Sequence, residues 1–186
     1  YAIDTNILET EINQKGNAVF KLESLSRMNV FDSSDAHSAL FDASLTMKIL
    51  NLIKKKQPNT WDTFLKTANK SDTETIFKKE SMITLNEYFY GKSRLYLCAP
   101  LHPKHCIHPI YQWGQALDLR VDVNPLTKMS INELKAEMKK TPKFLRTIRS
   151  NKAPIILGPE YGLKEEPYNT IDPNLIKKRA QLVRNN

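Results

Sequence analysis

Hydrophobic and polar positions divide the 186-residue chain into a helical opening and a mixed remainder. Residues 1–19 are largely polar and read as loop. "FKLESLSRMN" (20–29) sets Leu22 and Leu25 at helical spacing and predicts a short helix. "SDAHSALFDASLTMKIL" (34–50) predicts a longer helix, with Ser34 or Asp35 as N-cap, fading in the charged run Lys54-Lys55-Lys56. "QPNT" (57–60) reads as a connector and as the domain boundary, and residues 60–80 predict two short helices.

Beyond that point the period shortens. "SMITLNEYFY" (81–90), "SRLYLCAPL" (93–101) and "QALDLRVDV" (115–123) predict strands. In the third, Leu117, Leu119, Val121 and Val123 alternate with Asp118, Arg120 and Asp122. Ser130 and Glu133 form a capping box that announces a helix over 130–140. "KFLRTIRSN" (143–151) and "APIILG" (153–158) predict a final strand pair. A closing helix over 172–185 has Asp172 as N-cap and Pro173 in its first turn. Strands with an inserted helix predict an α+β architecture containing a small barrel-like module with inserted and flanking helices.

Composition adds a charge. The 28 Lys and Arg against 20 Asp and Glu make the chain basic, which suits a polyanionic partner as well as a merely soluble surface. The two cysteines, Cys98 and Cys106, make no disulfide framework, and no apolar stretch is long enough to span a bilayer. With no signal peptide evident, a reducing cytoplasm and a monomer without membrane attachment are expected. The chain opens on Tyr1 rather than Met, as a piece of a longer protein would.

Three constellations could carry chemistry. Asp42 leads an apolar stripe of Leu45, Ile49 and Leu52, where a carboxylate is costly unless a cation, donor or metal satisfies it, and His37 lies five positions before it. The alternative for both is an ordinary polar surface near a helix start. Cys98, His102, His105, Cys106 and His108 are clustered, but their order fits no standard zinc spacing and no zinc is expected. Tyr88, Phe89, Tyr90, Lys92, Arg94 and Tyr96, followed by Lys143, Arg146, Arg149 and Lys152, interleave rings with cations as single-strand binders do.

Longer strings point to a family. "KLESL" (21–25) followed by "AHSALFD" (36–42) resembles the K-L-E-x-L and A-H-x-A-x-x-D motifs that end the exonuclease domain of bacterial exonuclease I. That family belongs to the RNase-H-like 3'→5' exonucleases, whose site is four acids and a histidine. "CAPLHP" (98–103), "SNKAPII" (150–156) and "LIKKRAQLVRNN" (175–186) resemble turns, a strand and the last helix of the family's SH3-like domain. The resemblance covers nearly the whole chain. It implies that residues 1–56 are the tail of a truncated RNase-H-like exonuclease domain and 57–186 an SH3-like β-barrel.

The function implied is hydrolysis of single-stranded DNA to nucleotides by two Mg²⁺ ions, in repair and recombination, with single-stranded DNA-binding protein as a partner. His37 is then the general base and Asp42 a metal ligand; Lys92, Arg94, Lys143, Arg146, Arg149 and Lys152 are candidate DNA contacts. The family's three other acids have no counterpart, since "AIDTN" offers Asp4 with Asn6 where an Asp-x-Glu pair is required. The chain as it stands is therefore expected to be inactive and to hold no tightly bound ion, the activity belonging to an intact parent. The alternative is a non-catalytic single-strand-binding or protein-interaction module.

Overall fold

The computed structural model describes residues 7–31, 38–89, 92–102 and 110–185. Among them are eight α-helices and a five-stranded sheet, an α+β fold. The chain forms two compact units, residues 1–63 with 88–93 and residues 64–87 with 94–186.

In the first unit, Gly16 adopts φ +74° in a tight turn, where its N–H donates to Asn13 O, and Ile12 bridges Ala18. Helix α1 (Leu22–Met28) and helix α2 (Ala39–Lys56) bury Leu25, Leu45 and Ile49 against Leu8. The N-cap of α2 is Ser38, whose hydroxyl accepts from Phe41 N, rather than Ser34 or Asp35. "QPNT" is not a connector. Gln57 caps α2, and Pro58, which has no N–H to lose at a first helical position, starts helix α3 (Pro58–Leu65) at once.

The second unit contains α4 (Lys70–Lys79), capped by Asn69, and the antiparallel strands apart from their residues within 88–93. These are β1 (Ile83–Phe89), β2 (Lys92–Pro100), β3 (Gly114–Asp118), β4 (Leu145–Ile148) and β5 (Ile155–Leu157), in the order β4-β3-β2-β1-β5. The expected β4–β5 pair does not form. β4 pairs with β3 and β5 pairs with β1, so the two occupy opposite edges. A 3-10 turn at Ser150–Lys152 and Ala153, at φ +42°, redirect the chain between them.

β3 also stops earlier than its alternation suggests. Asp118 Oδ1 accepts from Arg120 N at 3.2 Å, a local bond that turns the chain, and Asp122 then caps the short helix α5 (Val123–Thr127). Helix α6 (Ile131–Glu137) carries the expected capping box. α7 (Pro159–Gly162) and α8 (Pro173–Asn185) follow, with Asp172 Oδ1 accepting from Asn174 N at the start of α8.

Both sheet faces are covered, which is why "LYLCAP" is almost continuously apolar. Leu97, Ala99 and Leu117 face Ile176, Ala180 and Val183, the apolar stripe of α8. Tyr96, Cys98, Ala116 and Ile148 face the other way, toward Phe77 of α4, Leu85 and Ile156. Each such aliphatic side chain contributes about 1.5–3 kcal/mol by leaving water.

Candidate nucleic-acid interface

The strand register decides which cations face solvent. On β4, Arg146 is paired with Ala116 and so lies on the Tyr96–Cys98 face. Its guanidinium sits 3.6 Å from the Tyr96 ring centre and 3.0 Å from Glu87 Oε2, and its side chain is only 12% exposed. Arg146 is therefore engaged inside the unit, unlike the other candidate contacts. Alternation conceals this in the sequence: a basic residue between Leu145 and Thr147 on an edge strand reads as solvent-facing unless an acid awaits it.

That acid belongs to a buried charged group. Asp118, fully buried, accepts from Tyr168 Oη at 2.7 Å and lies 2.9 Å from Arg120 Nη2 and 3.8 Å from Arg146 Nη2. Burial pushes the Glu87 carboxyl up, against the pull of Arg146. Burial and the Asp118 charge push the Tyr168 phenol above its usual range, so it stays protonated and donates. Arg179 of α8 donates to Leu119 O at 2.8 Å and Arg120 O at 3.2 Å, satisfying carbonyls where β3 ends.

The remaining cations are exposed. Lys92 lies in the first unit; Arg94 on β2, Lys143, Arg149 and Lys152 lie in the second. Arg149 and Lys152 bracket one 3-10 turn, with Lys152 N donating to Arg149 O at 2.9 Å. Arg149 also lies 5.1 Å from the ring centre of Trp113, which stacks on Tyr111 at 4.7 Å between centroids. These two rings are not among the aromatics that the sequence singles out. Their signal is a pair of aromatics two apart just before the strand that pairs with the basic one. Of the rings that interleave with cations in the sequence, Tyr96 is core, while Tyr88 and Phe89 are partly exposed, Tyr88 meeting Phe20 edge-on at 4.9 Å.

Asp42 sits exposed in the first turn of α2, one turn before buried Leu45, and His37 lies outside the described residues. Of the possible zinc group, His105, Cys106 and His108 also lie outside them, and His102 is exposed. Cys98 is a core residue, its thiol pushed up by burial and by the Asp118 charge. Among the described residues no three His, Cys, Asp or Glu side chains come together as a metal site would require. A cavity of about 320 Å³ lies between the sheet and α5, α6 and α8, but its walls carry no acid, histidine or cysteine. No described helix is long and apolar enough to cross a membrane.

No family model matches the chain. It is 27% identical to exodeoxyribonuclease I of Buchnera aphidicola (subsp. Acyrthosiphon pisum, strain APS), over 100% of its own length and 46% of that protein. The chain is homologous to part of exodeoxyribonuclease I. It spans less than half the length of the curated exodeoxyribonuclease I relatives that it matches along nearly all of its length. A crystal structure of E. coli exonuclease I in complex with a dA16 oligonucleotide shares the fold, at TM-score 0.65 and 20% identity over 100% of this chain and 42% of that one. So does an ExoI/SSB-Ct complex, at TM-score 0.64 and 19% identity with the same coverage.

Proposed function

We propose that the chain is the single-strand-binding portion of a 3'→5' exonuclease that hydrolyses single-stranded DNA in repair and recombination. The observation that carries this is its match to exodeoxyribonuclease I along its whole length, in sequence and in fold. In this reading residues 1–56 are the tail of an RNase-H-like nuclease domain and 57–186 an SH3-like barrel. The strand order, with a 3-10 turn joining the two edge strands, supports the barrel assignment. The oligonucleotide and SSB-Ct complexes of the structural relatives support single-stranded DNA and single-stranded DNA-binding protein as partners. The parent in this reading is a cytoplasmic monomer.

Within that parent, Asp42 is one carboxylate ligand of a Mg²⁺ pair and His37 the general base. The described residues by themselves do not fit two ions, because Asp42 stands exposed and no three potential ligands converge. No catalytic step is therefore assigned to this chain. The same observation favours a second reading, a non-catalytic module that binds single strands. An Asp-x-Glu strand motif in the parent's upstream sequence separates the two.

What the chain itself does is bind. Arg149 and Lys152, exposed around one turn, are its best-placed phosphate contacts. Titrating the chain with a single-stranded oligonucleotide at rising salt should show affinity falling steeply, without cleavage when Mg²⁺ is added. Arg149→Glu with Lys152→Glu should weaken binding and flatten the salt slope by roughly 0.7 for each phosphate that is no longer neutralised. Binding that ignores both salt and these residues would point to a protein partner instead.

A further inference from the structure

Trp113 directly precedes β3 and Arg149 directly follows β4. The register Gly114↔Ile148 makes them the next cross-strand pair outward, in agreement with the 5.1 Å between guanidinium and indole. Tyr111 is half exposed, and neither it nor Trp113 belongs to the two apolar clusters of the unit. In extended backbone, residues two apart stand about 7 Å from each other. Here Gln112 takes a left-handed conformation, φ +46°, and the two rings close to 4.7 Å between centroids with 12° between their planes. A left-handed non-glycine residue costs free energy, and here that cost accompanies the presentation of two stacked rings outside the core.

We propose that Tyr111, Trp113 and Arg149 form a stacking platform for an unpaired nucleobase, an assignment that rests on the single-strand reading above. Ring faces stack any base, which suits a strand held without regard to sequence. Arg149 serves twice in this arrangement: it steadies the indole by cation–π attraction, and it stands on the same turn as Lys152, where a neighbouring phosphate is met. A purely electrostatic contact needs the two cations and neither ring, so the rings distinguish this site from a simple basic patch.

The test uses the full chain with Trp61→Phe, leaving Trp113 as its one tryptophan, and follows indole fluorescence during titration with a short oligothymidylate. A backbone-matched abasic oligonucleotide serves as control. Stacking predicts quenching by oligothymidylate but not by the abasic strand. It also predicts that Tyr111→Ala weakens oligothymidylate binding about 5- to 100-fold while leaving abasic binding unchanged. Tyr111→Phe should behave as the parent, and unchanged thermal unfolding of both variants excludes a folding effect. If oligothymidylate binds without quenching and Tyr111→Ala binds as tightly, the platform is refuted while the single-strand reading stands. If neither strand binds, both fall.

Discussion

Tyr168 Oη donates to Asp118 Oδ1 across 2.7 Å, in a place where neither residue meets solvent. The contact ties the turn before α8 to the end of β3, the point at which the sheet hands over to the helices. Arg120 N also donates to the same oxygen, and Arg120 Nη2 lies beside the other. The carboxylate is thus held by several groups, and what each removal costs depends on what is left unpaired.

Tyr168→Phe deletes one donor and leaves the rest, so it should cost about 1–3 kcal/mol in denaturant unfolding. Asp118→Ala strips the acid from beside Arg120 and Arg146 and should cost more, about 3–5 kcal/mol. The reverse order of severity would show that the phenol, rather than the charge, anchors the group.

Glu87 gives a pH signature. Its folded pKa is raised by burial, so the folded chain holds that proton more tightly than the unfolded chain does. The resulting stability is present below the ordinary carboxylate range and is lost as pH rises through the folded value. Glu11, lowered by Arg27, and Glu133, lowered by Ser130, run the opposite way, their contribution being lost as pH falls through their folded values. Glu87→Gln removes only the first component. Its stability relative to the parent chain should therefore increase between about pH 4 and pH 7, as followed by denaturant unfolding. A difference that stays flat or shrinks contradicts the burial account.

Gly162 tests the packing of α7 on the sheet. A Cβ there would meet Thr84 Oγ1 at 2.7 Å and Leu97 Cβ at 2.9 Å, while the Thr84 hydroxyl already accepts from Gly162 N at 3.0 Å and donates to Gly158 O at 2.9 Å. Gly162→Ala should destabilise by about 1–3 kcal/mol, because both neighbours are buried and cannot retreat. A melting temperature equal to that of the parent chain would show that α7 moves freely.

Much of this fold is legible in the sequence because local chemistry and burial agree there. The capping box at Ser130 and Glu133, the stripe of α8 and the run of β2 each state their element directly. The misreadings arise where one residue overrides a pattern. Asp118 ends β3 by bonding Arg120 N although the alternation runs on to Val123, and Pro58 begins a helix where a connector is expected. The placement of β4 and β5 at opposite edges is hidden because adjacency in sequence says nothing of which strand a segment finally meets. The interface is half legible for the same reason. Arg149 and Lys152 can be picked out as cations, but only the register reveals that Trp113 stands beside Arg149, and only folding turns Arg146 inward onto Glu87.

The most direct test of the central claim is digestion of DNA by the intact parent with Mg²⁺, on single- and double-stranded substrates. Parent protein carrying Asp42→Asn, and separately His37→Ala, is assayed beside it. The account predicts removal of nucleotides from 3' ends of single strands, near-complete loss with Asp42→Asn, and a reduction of about 10²–10⁴ with His37→Ala while DNA binding persists. Asp42 is exposed in the first turn of α2, so Asp42→Asn should change stability by no more than about 1 kcal/mol. Undiminished digestion by either variant, or a parent that binds single strands and never cuts them, would contradict the account.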